Sequence, residues 1–162
     1  MARVYIGVGS NIDPTVNVRA AVAALRERFA PLEVSPVYES RAVGFDGANF
    51  YNLVVGFDTD LPVEEVAAAM QAIEDAQGRD RSAPRFAPRT IDLDVLLYDD
   101  LVRDQPHLHL PRPEITENAF VLRPLAEITP ERRHPTLGRT FAELWADYDE
   151  GGQPLRQVPF SW

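Results

Sequence analysis

The sequence predicts an α+β fold in the order β-α-β-β-α-β, and three observations carry it. Strand-like apolar runs stand at VYIGV, FYNLVVGFDT and IDLDVLLY. Two stretches between them place apolar residues at helical spacing. Glycine and proline punctuate most of the boundaries. The chain has 162 residues and is 45% hydrophobic, enough for one domain, 1–162, with a sizeable core.

The first strand is expected near Val4 to Val8, with a turn at Gly9-Ser10-Asn11. Pro14 opens a helix on which Val18, Val22, Leu25 and Phe29 share a face, and Pro31 stops it. Leu32 to Glu39 is a second strand, with Pro36 marking an edge or a bulge. Arg41 to Ala48 is a loop, and Phe50 to Thr59 a third, mostly apolar strand. Val63 to Gln77 is a second helix, buried through Val66, Ala69, Met70 and Ile73, and Gly78 ends it as a C-cap glycine. An arginine-rich loop follows, then a strand carrying Asp92 and Asp94. LVRDQ and HLHLP add short edge pieces, and helices are expected near Asn118 to Ile128 and Phe141 to Asp149. This order is the split βαβ arrangement of ferredoxin-like folds, a βαββαβ sandwich with additional C-terminal short strands and helices.

Composition excludes several chemistries. There is no cysteine, so no disulfide, thiolate nucleophile or cysteine-held metal. All 16 basic residues are arginine, which excludes a Schiff-base lysine and a lysine-bearing phosphate loop. A net charge of -9 argues against nonspecific nucleic-acid binding. No apolar run approaches the roughly 20 residues that span a bilayer, so no membrane association is expected. The N-terminus passes from Met1-Ala2-Arg3 straight into a strand, unlike a signal peptide, and a cytoplasmic protein is expected.

The chemistry concentrates between Arg85 and Asp99. Strand side chains alternate, so Asp92 and Asp94 share one face while Ile91, Leu93 and Val95 face a core. Aspartate is depleted in strands, and two carboxylates side by side repel unless a cation lies between them. Hard oxygen donors suit Mg²⁺, which is held by one or two carboxylates plus substrate phosphates. Arg79, Arg81, Arg85 and Arg89 stand against one aspartate just upstream, a local balance of +3 on an acidic chain. Guanidinium groups grip phosphate oxygens in bidentate fashion. A solvated Asp-x-Asp face or a plain charged loop would account for either part alone; together they point to phosphoryl chemistry on a nucleotide.

These residues resemble the 6-hydroxymethyl-7,8-dihydropterin pyrophosphokinase family of folate biosynthesis. Its central signature stands here as RFAPRTIDLDVLL, flanked in order by YIGVGSN, VYESRAVGF, NFYNLVVGFDT, QAIEDAQGRDR and FVLRPLAEITPE. The resemblance runs from about Val4 to about Glu131 and implies a ferredoxin-like α/β fold. It implies transfer of pyrophosphate from ATP to the hydroxymethyl group of a reduced pterin, releasing AMP. ATP and the pterin would be the partners, and Mg²⁺, as two ions with ATP, the cofactor, held by Asp92 and Asp94.

By the same resemblance the catalytic set is Arg79, Arg89, Asp92 and Asp94. ATP would be held by Arg79, Arg81 and Arg89 on its phosphates, and by Gln71 and Glu74 on the preceding helix. Val95, His107, His109 and Arg112 complete the ATP set, the two histidines alternating on a strand so as to share a face. The pterin would stack on Phe50 and Phe120, pair its ring edge with Asn52, meet backbone at Ser40 and Val43, and be capped by Phe86. The loop from Gly78 to Pro88 would close as a lid. Two positions depart from the family: Arg112 stands where it usually has histidine, and Asn118 where it has arginine. Two alternatives stay open: a diverged relative that binds ATP and Mg²⁺ but acts on another alcohol, and a non-catalytic ferredoxin-like binding module.

Overall fold

The computed structural model describes residues 1–41, 49–78, 90–149 and 153–162. The chain runs β1 (Ala2–Ser10), α1 (Pro14–Phe29), β2 (Glu33–Val34), β3 (Val37–Ser40), β4 (Phe50–Thr59), α2 (Val63–Ala76) and β5 (Asp92–Tyr98). It continues with β6 (Arg103–Gln105), β7 (Leu108–Leu110), α3 (Glu114–Glu117), α4 (Ala119–Ile128), α5 (Phe141–Ala146) and β8 (Arg156–Val158). The main sheet has the order β5-β1-β4-β3-β8, with β2 also paired to β4. β1 is antiparallel to both β4 and β5, as the ferredoxin-like order requires.

Each face of the sheet has its own core. Val18, Val22 and Leu25 of α1 and Val66, Met70 and Ile73 of α2 pack with Val4, Ile6, Val8, Leu93 and Val95. On the opposite face, Tyr5, Val54, Leu96 and Leu97 pack with Ile115, Val121, Leu122, Leu125 and Phe141 from the C-terminal helices. Burying such aliphatic side chains stabilises by about 1.5–3 kcal/mol each, against the entropy of ordering the chain. A register shift between Tyr5 and Ile6 of β1 inserts an extra residue into β5. Leu96 and Leu97 therefore both join the second core, while Tyr98 packs on the first.

Four expectations need correction. Leu32 to Glu39 is two strands, because Pro36 has no N–H for the ladder and the chain steps aside there. The Ser35 backbone N–H donates to the Val54 carbonyl at 2.9 Å, and the Ser35 hydroxyl accepts the Val54 N–H, also at 2.9 Å. Secondly, β1 runs through Ser10, so Gly9 is a strand residue and not part of a turn. Thirdly, the two short C-terminal strands do not join the sheet's edge; β6 and β7 pair with each other, Asp104 opposite His109. His107 sits in the turn of that hairpin, so the alternation that would align it with His109 does not apply. Finally, the last helix ends at Ala146, held at its start by a reciprocal capping box between Thr140 and Glu143.

The second helix ends as the sequence predicts. Gly78 has φ +86°, the left-handed conformation that glycine adopts without a Cβ penalty. No helix among the described residues is long and apolar enough to cross a membrane.

Candidate active site

Strand register builds the site. Residues directly opposite one another across antiparallel strands share a face. Asp92 of β5 faces Gly9 of β1, which faces Asn52 of β4, which faces Tyr38 of β3. One row along, Asp94 faces Gly7, which faces Val54. The two glycines thus lie between the carboxylates on one side and Val54 and Asn52 on the other. A Cβ on Gly9 would stand 3.0 Å from Asn52 Oδ1 and 3.9 Å from the Phe50 ring. The Asn52 side chain therefore leans over the bare backbone of Gly9.

Asn52 is buried inside a mostly apolar strand, and its polarity is answered: its amide nitrogen donates to Ser40 Oγ at 2.7 Å. That bond fixes the amide's orientation and leaves its remaining donor and its acceptor to define an edge. Phe50 is half-buried beside Gly9, and Phe120 packs at the margin of the core formed by α4 over the same face.

A cleft of about 480 Å³ wraps the outer edge of β5. Met70, Gln71 and Glu74 come to it from α2, Asp92 to Val95 from β5, and His107 and His109 from the β6–β7 hairpin. Arg112 and Glu114 close it. Every ATP or metal candidate that falls on described residues lines this cleft: Gln71, Glu74, Asp92, Asp94, Val95, His107, His109 and Arg112. Arg79, Arg81, Arg85, Arg89, Val43 and Phe86 lie outside the described residues.

Glu74 is not on a solvated helix face. It is buried, and its carboxylate accepts the outward N–H of Leu93 at 2.8 Å, satisfying an edge-strand donor. The Arg112 backbone does the reciprocal job, donating to the Leu96 carbonyl at 3.1 Å. Its side chain reaches back to Asp94, Nη2 to Oδ1 at 3.4 Å, and its Nε meets the Glu114 carboxylate.

The electrostatics follow from this crowding. Burial, then the neighbouring charge of Asp92, push the Asp94 carboxyl up to about 8, with Glu74 and Glu114 adding to the rise and Arg112 opposing it. Burial works to lower Arg112, but the charges of Asp94, Glu114 and Asp92 outweigh it and raise this guanidinium above its ordinary value.

The donor set fits a hard divalent cation. Two carboxylates stand on adjacent same-face positions of one strand, one of them held in its ionised form only with difficulty. No cluster of three or more metal-ligating side chains occurs among the described residues. Such a pair would leave coordination positions for phosphate oxygens and water, the usual arrangement for Mg²⁺.

Sequence reasoning missed Glu114, whose carboxylate holds Arg112, and the pairing of Gly7 and Gly9 with the two aspartates. The second was legible as a shared period of two, GVG against DLD. It also missed Gln153, whose side chain accepts the Ala119 N–H at 3.0 Å and lies 3.4 Å from Asn118 Oδ1. Asn118, at the start of α4, thus serves as a helix-entry residue tied to the C-terminal segment.

Comparison with known proteins gives the family of the chain. The family model for 7,8-dihydro-6-hydroxymethylpterin-pyrophosphokinase matches residues 5–130. A 2-amino-4-hydroxy-6-hydroxymethyldihydropteridine pyrophosphokinase of Pseudomonas aeruginosa is 42% identical over 149 residues, covering 89% of this chain and 90% of that one. The Bacillus subtilis protein of the same name is 42% identical over 128 residues, 76% of each chain. Among solved structures, an HPPK-DHPS crystal structure in complex with substrates superposes with a TM-score of 0.70 at 11% identity. That match covers 93% of this chain and 44% of the other, and at such identity it speaks to the fold. The register-built carboxylate site and these matches converge on one conclusion: the chain belongs to the 7,8-dihydro-6-hydroxymethylpterin-pyrophosphokinase family.

Proposed function

We propose that residues 1–162 act as one catalytic unit that transfers pyrophosphate from ATP to the hydroxymethyl group of 6-hydroxymethyl-7,8-dihydropterin in folate biosynthesis. The substrate hydroxyl oxygen attacks the β-phosphorus and gives up its proton to solvent, the bond from that phosphorus to the α–β bridging oxygen breaks, and AMP leaves. The observation that carries this reading is the row Asp92, Gly9, Asn52, running from a nucleotide-sized cleft to a buried amide.

Asp92 and Asp94 would hold two Mg²⁺ ions, which supply charge neutralisation on the phosphates and lower the pKa of the attacking hydroxyl. Gln71, Val95, His107 and His109 line the end of the cleft suited to the nucleoside, and Glu74 keeps the β5 edge in place behind them. Arg79, Arg81 and Arg89, which follow α2 in the chain, are assigned to the phosphates. Asn52 presents its fixed amide to the pterin's donor and acceptor edge, and Phe50 and Phe120 offer apolar ring faces to the heterocycle. Gly9 lets the flat ring approach the sheet, since any side chain there would fill the space beside Asn52.

Following the reaction by phosphorus NMR tests the assignment. AMP and the pterin pyrophosphate should appear one for one. ADP as the nucleotide product would overturn it in favour of simple phosphoryl transfer.

A further inference from the structure

Arg112 is the single permanent cation among the described residues lining the cleft, and it stands among Glu74, Asp92, Asp94 and Glu114. Its backbone is pinned to the Leu96 carbonyl and flanked by Pro111 and Pro113, so any motion belongs to the side chain. That side chain is divided between two carboxylates, Asp94 at 3.4 Å and Glu114 at its Nε.

We propose that Arg112 is the resident counter-cation of Asp94, which a divalent cation must displace, and that Glu114 is the rest onto which it is displaced. The proposal rests on the assignment of Asp92 and Asp94 to the metal. A divalent cation held by Asp92 and Asp94 cancels the negative charge that Arg112 meets there, so the attraction is lost. Glu114 already touches the guanidinium and holds it at the cleft. From that position it still lines the cleft, and bidentate contact with phosphate oxygens would replace the lost partner. Metal alone leaves Arg112 with Glu114 as its one partner; metal arriving with a triphosphate brings an anion in place of Asp94. Nucleotide and metal binding are thereby coupled through one side chain. The direction holds whether Asp94 is ionised or protonated beforehand, because the carboxylate pair with its cation is less negative toward Arg112 in both cases.

The test titrates Mn²⁺ into the full chain without nucleotide and reads free Mn²⁺ by electron paramagnetic resonance, for wild type, Arg112→Gln, Glu114→Gln and Asp94→Asn. Arg112→Gln should bind Mn²⁺ about tenfold more tightly than wild type. Glu114→Gln, which leaves Arg112 wholly to Asp94, should bind it roughly threefold or more weakly. Unchanged or weaker binding in Arg112→Gln overturns the proposal, and so does unchanged or tighter binding in Glu114→Gln. Asp94→Asn separates the two layers. If it loses Mn²⁺ while Arg112→Gln matches wild type, the metal assignment stands and the counter-cation role falls. If it binds as well as wild type, the metal assignment itself fails and takes the proposal with it.

Discussion

Asn52 and Ser40 are joined by a buried hydrogen bond of 2.7 Å, amide nitrogen to hydroxyl oxygen, across adjacent strands of the sheet. The bond sets which way the amide faces, while the bare Cα of Gly9 gives the amide room to lie flat. Recognition of the ring edge on this account depends on a residue with no side chain as much as on one with an amide.

Gly9→Ala should therefore act on substrate binding before chemistry. The new methyl would stand 3.0 Å from Asn52 Oδ1, a distance at which the amide must shift. KM for the pterin should rise about tenfold, with KM for ATP little changed, since a tenfold loss corresponds to about 1.4 kcal/mol. Steady-state kinetics with each substrate varied in turn would check this; an unchanged pterin KM would remove Gly9 from the site.

Ser35 should matter to stability alone. Its hydroxyl accepts the N–H of fully buried Val54 where Pro36 breaks the strand. Ser35→Ala leaves that donor without its partner and should cost about 1–3 kcal/mol. Urea denaturation would show a lower midpoint with an unchanged slope, and kinetic constants near wild type at low temperature.

Metal-free stability should depend on pH through Asp94. Its carboxyl is raised to about 8 in the folded chain against an ordinary value of 3.8, so the folded state keeps this proton longer than the unfolded state. The unfolded chain releases the proton first, and stability contributed here falls as pH rises from about 4 to about 8. Asp94→Asn has no such proton to lose. Its melting temperature relative to wild type should climb across that window and level off above it. A difference that stays flat with pH would show that Asp94 titrates normally.

Much of the fold is legible in the residues because the long elements carry strong periodicity. β4 matches its expected bounds, and α2 falls within one residue, stopped by a glycine that does take the left-handed conformation. β8 and α3, of three and four residues, are too short for any period to show. Pro36 announces a break without saying that Ser35 repairs it. The aspartate pair is readable because strand alternation is rigid, whereas Glu114 is silent in sequence: a glutamate after Pro113 acquires meaning only when Arg112 folds back over β5. In the hairpin, strand alternation does not run through Pro106-His107, where the chain turns, although His107 and His109 both reach the cleft.

If the carboxylate pair on β5 carries pyrophosphoryl transfer, removing one of its charges must abolish turnover without unfolding the chain. Wild type and Asp94→Asn are supplied with ATP, Mg²⁺ and 6-hydroxymethyl-7,8-dihydropterin and AMP is measured, while melting temperatures are taken without ligands. Wild type should release AMP in step with pterin pyrophosphate. Asp94→Asn should lose roughly a thousandfold in turnover while melting no lower than wild type, since it removes a repelled charge and no packing. An Asp94→Asn protein that turns over like wild type would show that the carboxylate pair does not carry the transfer.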